Sequence, residues 1–460
     1  METSSKQKLL KRIASLVAEN KDLKENQRAL TDAFNQLTDE VEKHRARIEK
    51  AKVDQADPSK QTARQTRFNT VTILFVEMQG LSDVVTVDAN TAQYMDRLDD
   101  IILGFNEIVE KYQLVKLHSI GDSFICAGGI PEKNMTNPIT VTLAALEMLK
   151  LVETCMQKDD EPVWGLNIGI HTGSVIGGRT RSNYDLKGDT VNVTSRIGSL
   201  CKKNTALVSD TTYELVKELF DCRYTSALPV KYRNKLDLFT VTGIKAKFAA
   251  DQKRYLPNES FRTQWMLVQF SDLQEYILDK LEKELPEYLY YHNVKHTVDV
   301  VTECELIGWA EGLDDHQLLL LKTAALFHDS GHTISYTDHE ERSVDIARQN
   351  LPKYRYTPQE INEICRIIMA TKLPPKPADL LEAIICDSDL DYLGRTDFVP
   401  VSNTLYAELT AQGKSMSLND WNKLQLKFIG SHQYFTKTGR KLREVKKQEQ
   451  IERIKQMIEN

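Results

Sequence analysis

From Leu9 to Ile48, apolar residues recur in alternating steps of four and three, at Leu9, Ile13, Leu16, Leu23, Leu30, Phe34, Leu37, Val41 and Ile48. Asn20, Gln27 and His44 fill the remaining seam positions. A seam of this length without Pro or Gly, set among Lys and Glu, predicts a coiled coil, and Asn20 favours a fixed register and a low oligomer number. Residues 1–51 therefore read as a dimerisation helix. Asp57-Pro58-Ser59 ends it, and residues 52–67 read as a linker.

The pattern then changes. Val71 to Val76 is an apolar, branched run closed by Glu77 and bounded by Gly80, which predicts a buried strand. A helix is predicted from Thr91 to Tyr112, then two strand-like runs, Leu117–Asp122 and Ser123–Gly129, joined by a tight turn that presents Asp122. A second helix, Asn137–Met156, and a strand, Trp164–Ile170, follow. The order strand, helix, strand, strand, helix, strand predicts a ferredoxin-like α/β domain over residues 68–245. Residues 246–261 are polar, contain Pro257 and read as a second linker. Beyond them the period is helical: Trp265–Leu285, His296–Glu311, His316–Phe327, Arg342–Leu351, Pro358–Thr371, Ala378–Leu393, Val401–Gln412 and Leu418–Ile429, an all-α domain over residues 262–460.

Composition narrows the classes. The net charge of the 460 residues is -6, and the most basic stretch, Lys437 to Lys447, reads as a solvated helix face, so no nucleic-acid partner is expected. The seven cysteines include no Cys-x-x-Cys pair and suit free thiols in a reducing compartment. The charged start, Met1 to Arg12, is unlike a signal peptide, and no apolar run approaches the roughly 20 residues of a membrane span, so a cytoplasmic protein is expected.

Six of the ten histidines fall between His292 and His339. His292 and His296 stand four apart and are expected on one helix face. His328-Asp329 is a vicinal pair with His332 four residues after His328, and such a pair allows one group to ligate one ion while the carboxylate reaches a second. Zinc, manganese, iron and magnesium all suit these donors. The runs Tyr291-His292-Asn293-Val294-Lys295-His296 and His328-Asp329-Ser330-Gly331-His332 resemble the HD superfamily of metal-dependent phosphohydrolases, and within it the cyclic-nucleotide phosphodiesterases. The resemblance implies hydrolysis of a 3′,5′-cyclic nucleotide by metal-activated water. His296, His328, Asp329 and a late aspartate would hold the first of two divalent metals, Asp329 would be shared with the second, and His332 would be a ligand or its neighbour. His292 would protonate the departing 3′ oxygen as general acid. In Cys386-Asp387-Ser388-Asp389-Leu390, the Ser-Asp-Leu match selects Asp389 as the late ligand, while spacing to Tyr392-Leu393 selects Asp387. His339 and Glu340 would add ligands or simply begin a helix. Gln425 and Phe428 stand where the family hydrogen-bonds and stacks the purine. Lys372, after Ala370-Thr371, replaces a usual carboxylate.

In the middle domain Glu77 and Asp122 form a carboxylate pair suited to magnesium or manganese. Ile73–Leu81, Ile120–Gly129 and Tyr184–Arg196 resemble the signature segments of class III nucleotide cyclases. That resemblance implies that Asp122 binds catalytic metal, Asn192 orients the ribose, and Arg196 stabilises charge on the α-phosphate. Asp185 would accept from the adenine amine. Family sites form across a dimer interface, which the coiled coil would assemble. Glu77 replaces the usual aspartate, and His118 replaces the usual purine-selecting lysine or glutamate. The expected protein is a homodimeric enzyme of cyclic-nucleotide metabolism that hydrolyses cyclic AMP and makes it from ATP. The alternatives are a phosphodiesterase with a silent cyclase-like domain, an HD phosphohydrolase for another nucleotide, and a nucleotide-binding scaffold.

Overall fold

The computed structural model describes residues 65–79, 91–120, 122–156, 165–179, 184–230 and 233–458. The coiled coil expected over residues 1–51, and the linker as far as residue 64, lie outside the described residues.

The predicted order of the α/β part is found: β1 (Thr66–Gln79), α1 (Thr91–Lys111), β2 (Val115–Ile120), β3 (Ser123–Gly128), α2 (Asn137–Met156) and β4 (Gly165–Arg179). β1 lies between β3 and β4 and is antiparallel to both. Alternation along β1 sends Leu74, Val76 and Met78 into the apolar cluster under α1 and α2, and Val71 and Ile73 into a smaller cluster on the opposite face. The chain continues through β5 (Tyr184–Lys187), α3 (Asp189–Gly198), β6 (Thr205–Ser209), α4 (Asp210–Val216), β7 (Phe220–Val230) and β8 (Arg233–Ile244). These extend the sheet to the order β2-β3-β1-β4-β6-β8-β7, with β5 paired to β4.

The segment between the two parts is folded. Phe248, in a 3-10 turn, and Phe261, in the first turn of α5 (Glu259–Glu284), meet at 6.4 Å inside the α/β core. Asn258 caps α5 by accepting from Phe261 N. From Met266 onward the same helix enters a different core, through Phe270, Leu273, Ile277 and Leu281. The junction is closed by Asp272, which accepts from Met135 N at 2.8 Å, and by Trp265 Nε1, which donates to Thr140 Oγ1 at 3.4 Å.

The remaining helices are α6 (Val294–Glu311), α7 (Asp315–Phe327), α8 (His339–Asn350), α9 (Pro358–Met369), α10 (Leu380–Asp389), α11 (Phe398–Ala411), α12 (Leu418–Ser431) and α13 (Lys437–Ile458). With α5 this makes nine among the described residues, one more than expected. The addition is α13, whose alternating Lys, Arg and Glu hide the few apolar positions, Ile451 and Ile454, that bury. α7 is apolar on all sides and forms the centre of the helical core, its end delivering His328 and Asp329. No described helix is long and apolar enough to cross a membrane.

Candidate metal centre

His292 does not share a helix face with His296. The Asn293 side chain accepts from His296 N at 3.2 Å and caps α6, which leaves His292 in the turn outside the helix and His296 in its first turn. His328 is the C-cap of α7, and its Nδ1 donates to Ala325 O at 2.7 Å, so Nε2 is the free nitrogen. Asp329 begins the tight turn that leads into α8. At Gly331 an added Cβ would collide with the His339 carbonyl oxygen, so only glycine lets this turn approach α8. Ser343 Oγ locks the contact by donating to His328 O and accepting from Gly331 N.

Four ligand atoms from three elements converge. His296 Nε2 lies 3.1 Å from Asp389 Oδ1, 3.4 Å from Asp329 Oδ2 and 3.4 Å from His328 Nε2. His328 Nε2 lies 3.3 Å from Asp329 Oδ2 and 3.5 Å from Asp389 Oδ1. An ion roughly 2.1 Å from each ligand spaces adjacent ligand atoms by about 3.0 Å in an octahedron and about 3.4 Å in a tetrahedron. The set fits such an ion. Asp329 Oδ2 is buried with no hydrogen-bond partner despite its short distances to both imidazoles, as expected of ligand atoms aimed at a common centre. Burial lowers the basicity of His296, but the carboxylates of Asp329 and Asp389 outweigh it and hold the imidazole up at about 8. Burial opposes charge on His328 too, and the same carboxylates push it well above the usual range, while both aspartates are held below theirs. The negative charge of the two carboxylates, which raises both imidazoles, is the charge that a divalent ion would offset.

The other oxygen of Asp329 faces a second group. Oδ1 lies 3.5 Å from His339 Nε2 and 4.0 Å from His332 Nε2, and His332 stacks on His339 with centroids 4.0 Å apart. His292, Asp329 and His332 bring ligand atoms within 4.8 Å of one another. Both ring nitrogens of His332 are buried without a partner, and burial holds this imidazole down at about 3, hence neutral and fit to ligate. One carboxylate thus stands between two donor sets.

His292 meets a residue that sequence reasoning missed. Glu408 on α11 is fully buried and lies 2.5 Å from His292 Nδ1, while accepting from the backbone amides of Tyr291 at 2.9 Å and His292 at 3.1 Å. The available signal was a carboxylate in helical step with the apolar positions Val401 and Leu405.

Asp387 is not in the cluster. It accepts from Phe435 N, Thr436 N and Thr436 Oγ1, fastening the start of α13. Gln425 is not brought to the histidines either: it is buried at the α11, α12 and α13 junction and lines a cavity with Phe398, Ser402 and Arg453. Helical spacing explains this, since Trp421, Gln425 and Ile429 are the buried face of α12. Phe428 is half-buried against the apolar cluster that holds Tyr291 and Tyr392.

In the α/β part, Glu77 pairs with Ser123 in the sheet register, and Asp122 sits in the adjoining hairpin turn, donating no side chain to the core and exposed to solvent. Its carbonyl oxygen accepts from Met78 N at 2.8 Å, which fixes the hairpin beside Glu77. Asn192 and Arg196 lie one turn apart on the exposed side of α3, and Arg196 Nη2 donates to Pro229 O at 2.8 Å. Asp185 is exposed on β5 in an ion pair with Lys187, and His118 is exposed on β2. Among the described residues no hydrogen bond or ion pair joins Asn192 or Arg196 to Glu77 or Asp122.

Comparison with known proteins defines the class. The adenylate and guanylate cyclase catalytic domain family matches residues 63–243, and the HD domain family matches residues 293–392. The chain is a fusion of a class III cyclase domain with an HD domain. A membrane guanylyl cyclase of Dictyostelium discoideum is 29% identical over 157 residues, covering 33% of this chain and 10% of the relative. An adenylate cyclase of Mycobacterium tuberculosis is 28% identical over 190 residues, covering 40% of this chain and 42% of the relative. The chain therefore spans less than half the length of these curated relatives. The crystal structure of the catalytic core of a rhodopsin-guanylyl cyclase with converted specificity, in complex with ATPalphaS, matches at 25% identity with a TM-score of 0.36, covering 40% of this chain and 100% of that one.

Proposed function

We propose that the HD domain hydrolyses a 3′,5′-cyclic nucleotide, cyclic AMP being favoured, to the 5′-monophosphate. The observation that carries this reading is the convergence of His296, His328, Asp329 and Asp389 beside the His292–Glu408 pair. His296, His328, Asp329 and Asp389 would hold one divalent ion, and Asp329, His332 and His339 would face the other. The ions, drawn from zinc, manganese, iron and magnesium, would supply Lewis-acid polarisation of the phosphate and lower the pKa of water. His292, held by Glu408 through Nδ1, donates a proton from its other ring nitrogen to the 3′ oxygen as the P–O bond breaks. Glu408 fixes the tautomer and balances the charge that His292 carries before transfer.

The cyclase domain makes cyclic AMP from ATP in a homodimer, with Glu77 and Asp122 of one subunit holding magnesium or manganese. Asn192 and Arg196, exposed on α3 and apart from those carboxylates, suit a site completed by a second copy. Asp185 and His118 select the purine. A second reading, a cyclase-like domain without turnover, is favoured by the Arg196 bond to Pro229 O and by the longer Glu77 side chain. The test is one incubation of the full chain, carrying His296→Ala, with ATP and manganese. Cyclic AMP accumulates under the first reading, and none forms under the second. The wild-type protein given cyclic AMP and manganese releases AMP. Failure to do so in metal-loaded protein refutes the hydrolase.

A further inference from the structure

We infer that the anionic substrate of the HD domain enters from the His292 side of the metal cluster and is anchored there by Lys414. This rests on the hydrolase reading and adds its direction of approach. The cluster has two sides of opposite character. One opens on a cavity of about 290 Å³ that reaches His296 and Asp389 and is lined by Asp299, Glu303, Asp391 and Asp397. Glu303 and Asp391 share Arg443, at 3.4 and 2.5 Å through Oε1 and Oδ1, which leaves Glu303 Oε2 and Asp391 Oδ2 buried without a partner. The two cations in its wall are committed: Lys295 pairs with Asp299 at 2.6 Å, and Arg395 pairs with Asp397 at 2.6 Å and Asp299 at 3.2 Å. An anion entering this way meets desolvated carboxylates with no free cation to offset them.

The other side carries His292, His332 and Tyr336. The Tyr336 ring lies 5.9 Å from His292 and 5.1 Å from His332, and the Lys414 ammonium sits 5.3 Å from the centre of the same ring. Lys414 reaches it because Gly413, at φ +82°, turns the chain back at the end of α11, where Lys414 N donates to Leu409 O at 3.0 Å. Lys372 is paired with Glu341 and Arg443 with Asp391, whereas among the described residues Lys414 has no carboxylate partner. An exposed ammonium resting on an aromatic face is free to swing to an arriving phosphate.

The full-length protein, loaded with manganese, is titrated calorimetrically with inorganic phosphate at low and high ionic strength. Lys414→Ala should weaken phosphate binding about 5- to 15-fold at low salt and flatten its salt dependence. Lys414→Arg should retain most of the affinity, and Asp397→Asn should leave it within twofold of wild type. With cyclic AMP as substrate, Lys414→Ala should raise KM by a similar factor with kcat within twofold. Wild-type affinity in Lys414→Ala, or tightening by Asp397→Asn alone, overturns the inference, as does wild-type protein that binds no phosphate. Lys414-dependent phosphate binding without cyclic AMP turnover sustains the inference and refutes only the hydrolase reading.

Discussion

Replacing Glu408 by Gln tests the general-acid pair with almost no change of shape. The carboxylate is fully buried and accepts three hydrogen bonds, from His292 Nδ1, Tyr291 N and His292 N. Burial opposes its charge, but His292 and the backbone amides win and hold its carboxyl below the usual range. A carboxyl depressed on folding adds stability that is complete above its unfolded pKa and is lost as pH falls through its folded one. An amide keeps one acceptor oxygen and loses the charge. A hydrogen bond to a charged group contributes about 1.5–3 kcal/mol against about 0.5–1.5 kcal/mol for a neutral one, a difference of about 1–1.5 kcal/mol. If that difference acts in the proton transfer, Glu408→Gln lowers kcat roughly 5- to 15-fold. KM and manganese content should stay near wild type, because Glu408 touches none of the four convergent ligand atoms. The assay is cyclic AMP hydrolysis by manganese-loaded full-length protein from pH 5 to 9. Wild-type kcat across that range would show that His292 does not need this carboxylate to donate its proton.

Two neighbouring aspartates separate ligand from scaffold. Asp389→Asn should weaken manganese binding by more than the roughly 10- to 100-fold that loss of a supporting partner costs, read by metal analysis after dialysis. Asp387→Asn should keep the metal but lose about 1–3 kcal/mol of stability in a urea titration, because three donors at the start of α13 lose their charged acceptor. Glu360 supplies a pH dependence away from the site. Burial raises its carboxyl, but Arg262, Thr357 N and His316 outweigh this and bring it from 4.5 down to about 2. Its stabilisation is therefore present above pH 4.5 and lost toward pH 2. Glu360→Gln should melt at a lower temperature near neutrality and show a flatter decline in melting temperature below pH 5.

Much of the fold was legible because the hydrophobic period was strong where the core is. β1, with six consecutive buried residues, and α2, buried along most of its length, have no alternative reading. β7 buries only two of its eleven residues, and β8 pairs with it through three register shifts, so neither carries a clean alternation to read. The vicinal His-Asp pair and the four-residue histidine spacing pointed to the cluster, since these donors rarely gather without a metal. Chain-local reasoning stopped at partners far away. Glu408 meets His292 from 116 residues along the chain, and its helical step with Val401 and Leu405 marks a buried face without naming its partner. Asp387 and Asp389 differ by about 200° around a helix, so only one can face the cluster, and packing of α13 against α10 decides which. Gln425 lies on the buried face of α12 with Trp421 and Ile429, a placement that a motif match alone does not show.

The position of α5 bears on how opposed activities can share one chain. A cyclase and a phosphodiesterase acting on the same nucleotide would convert ATP to AMP without net signalling unless one were silenced while the other worked. Phe261 belongs to the α/β core, and Met266, five residues on, belongs to the helical core. The boundary therefore falls within about one and a half turns of a continuous helix, with no glycine or proline between Glu259 and Glu284. Asp272 and Trp265, on the same helix, hold the start of α2 from outside. A rotation of α5 that shifts the start of α2 through these contacts must also move Phe270 and Leu273 against α7, whose last turn carries His328. Because close-packed cores shift between discrete arrangements rather than deforming gradually, a state that suits one site need not suit the other.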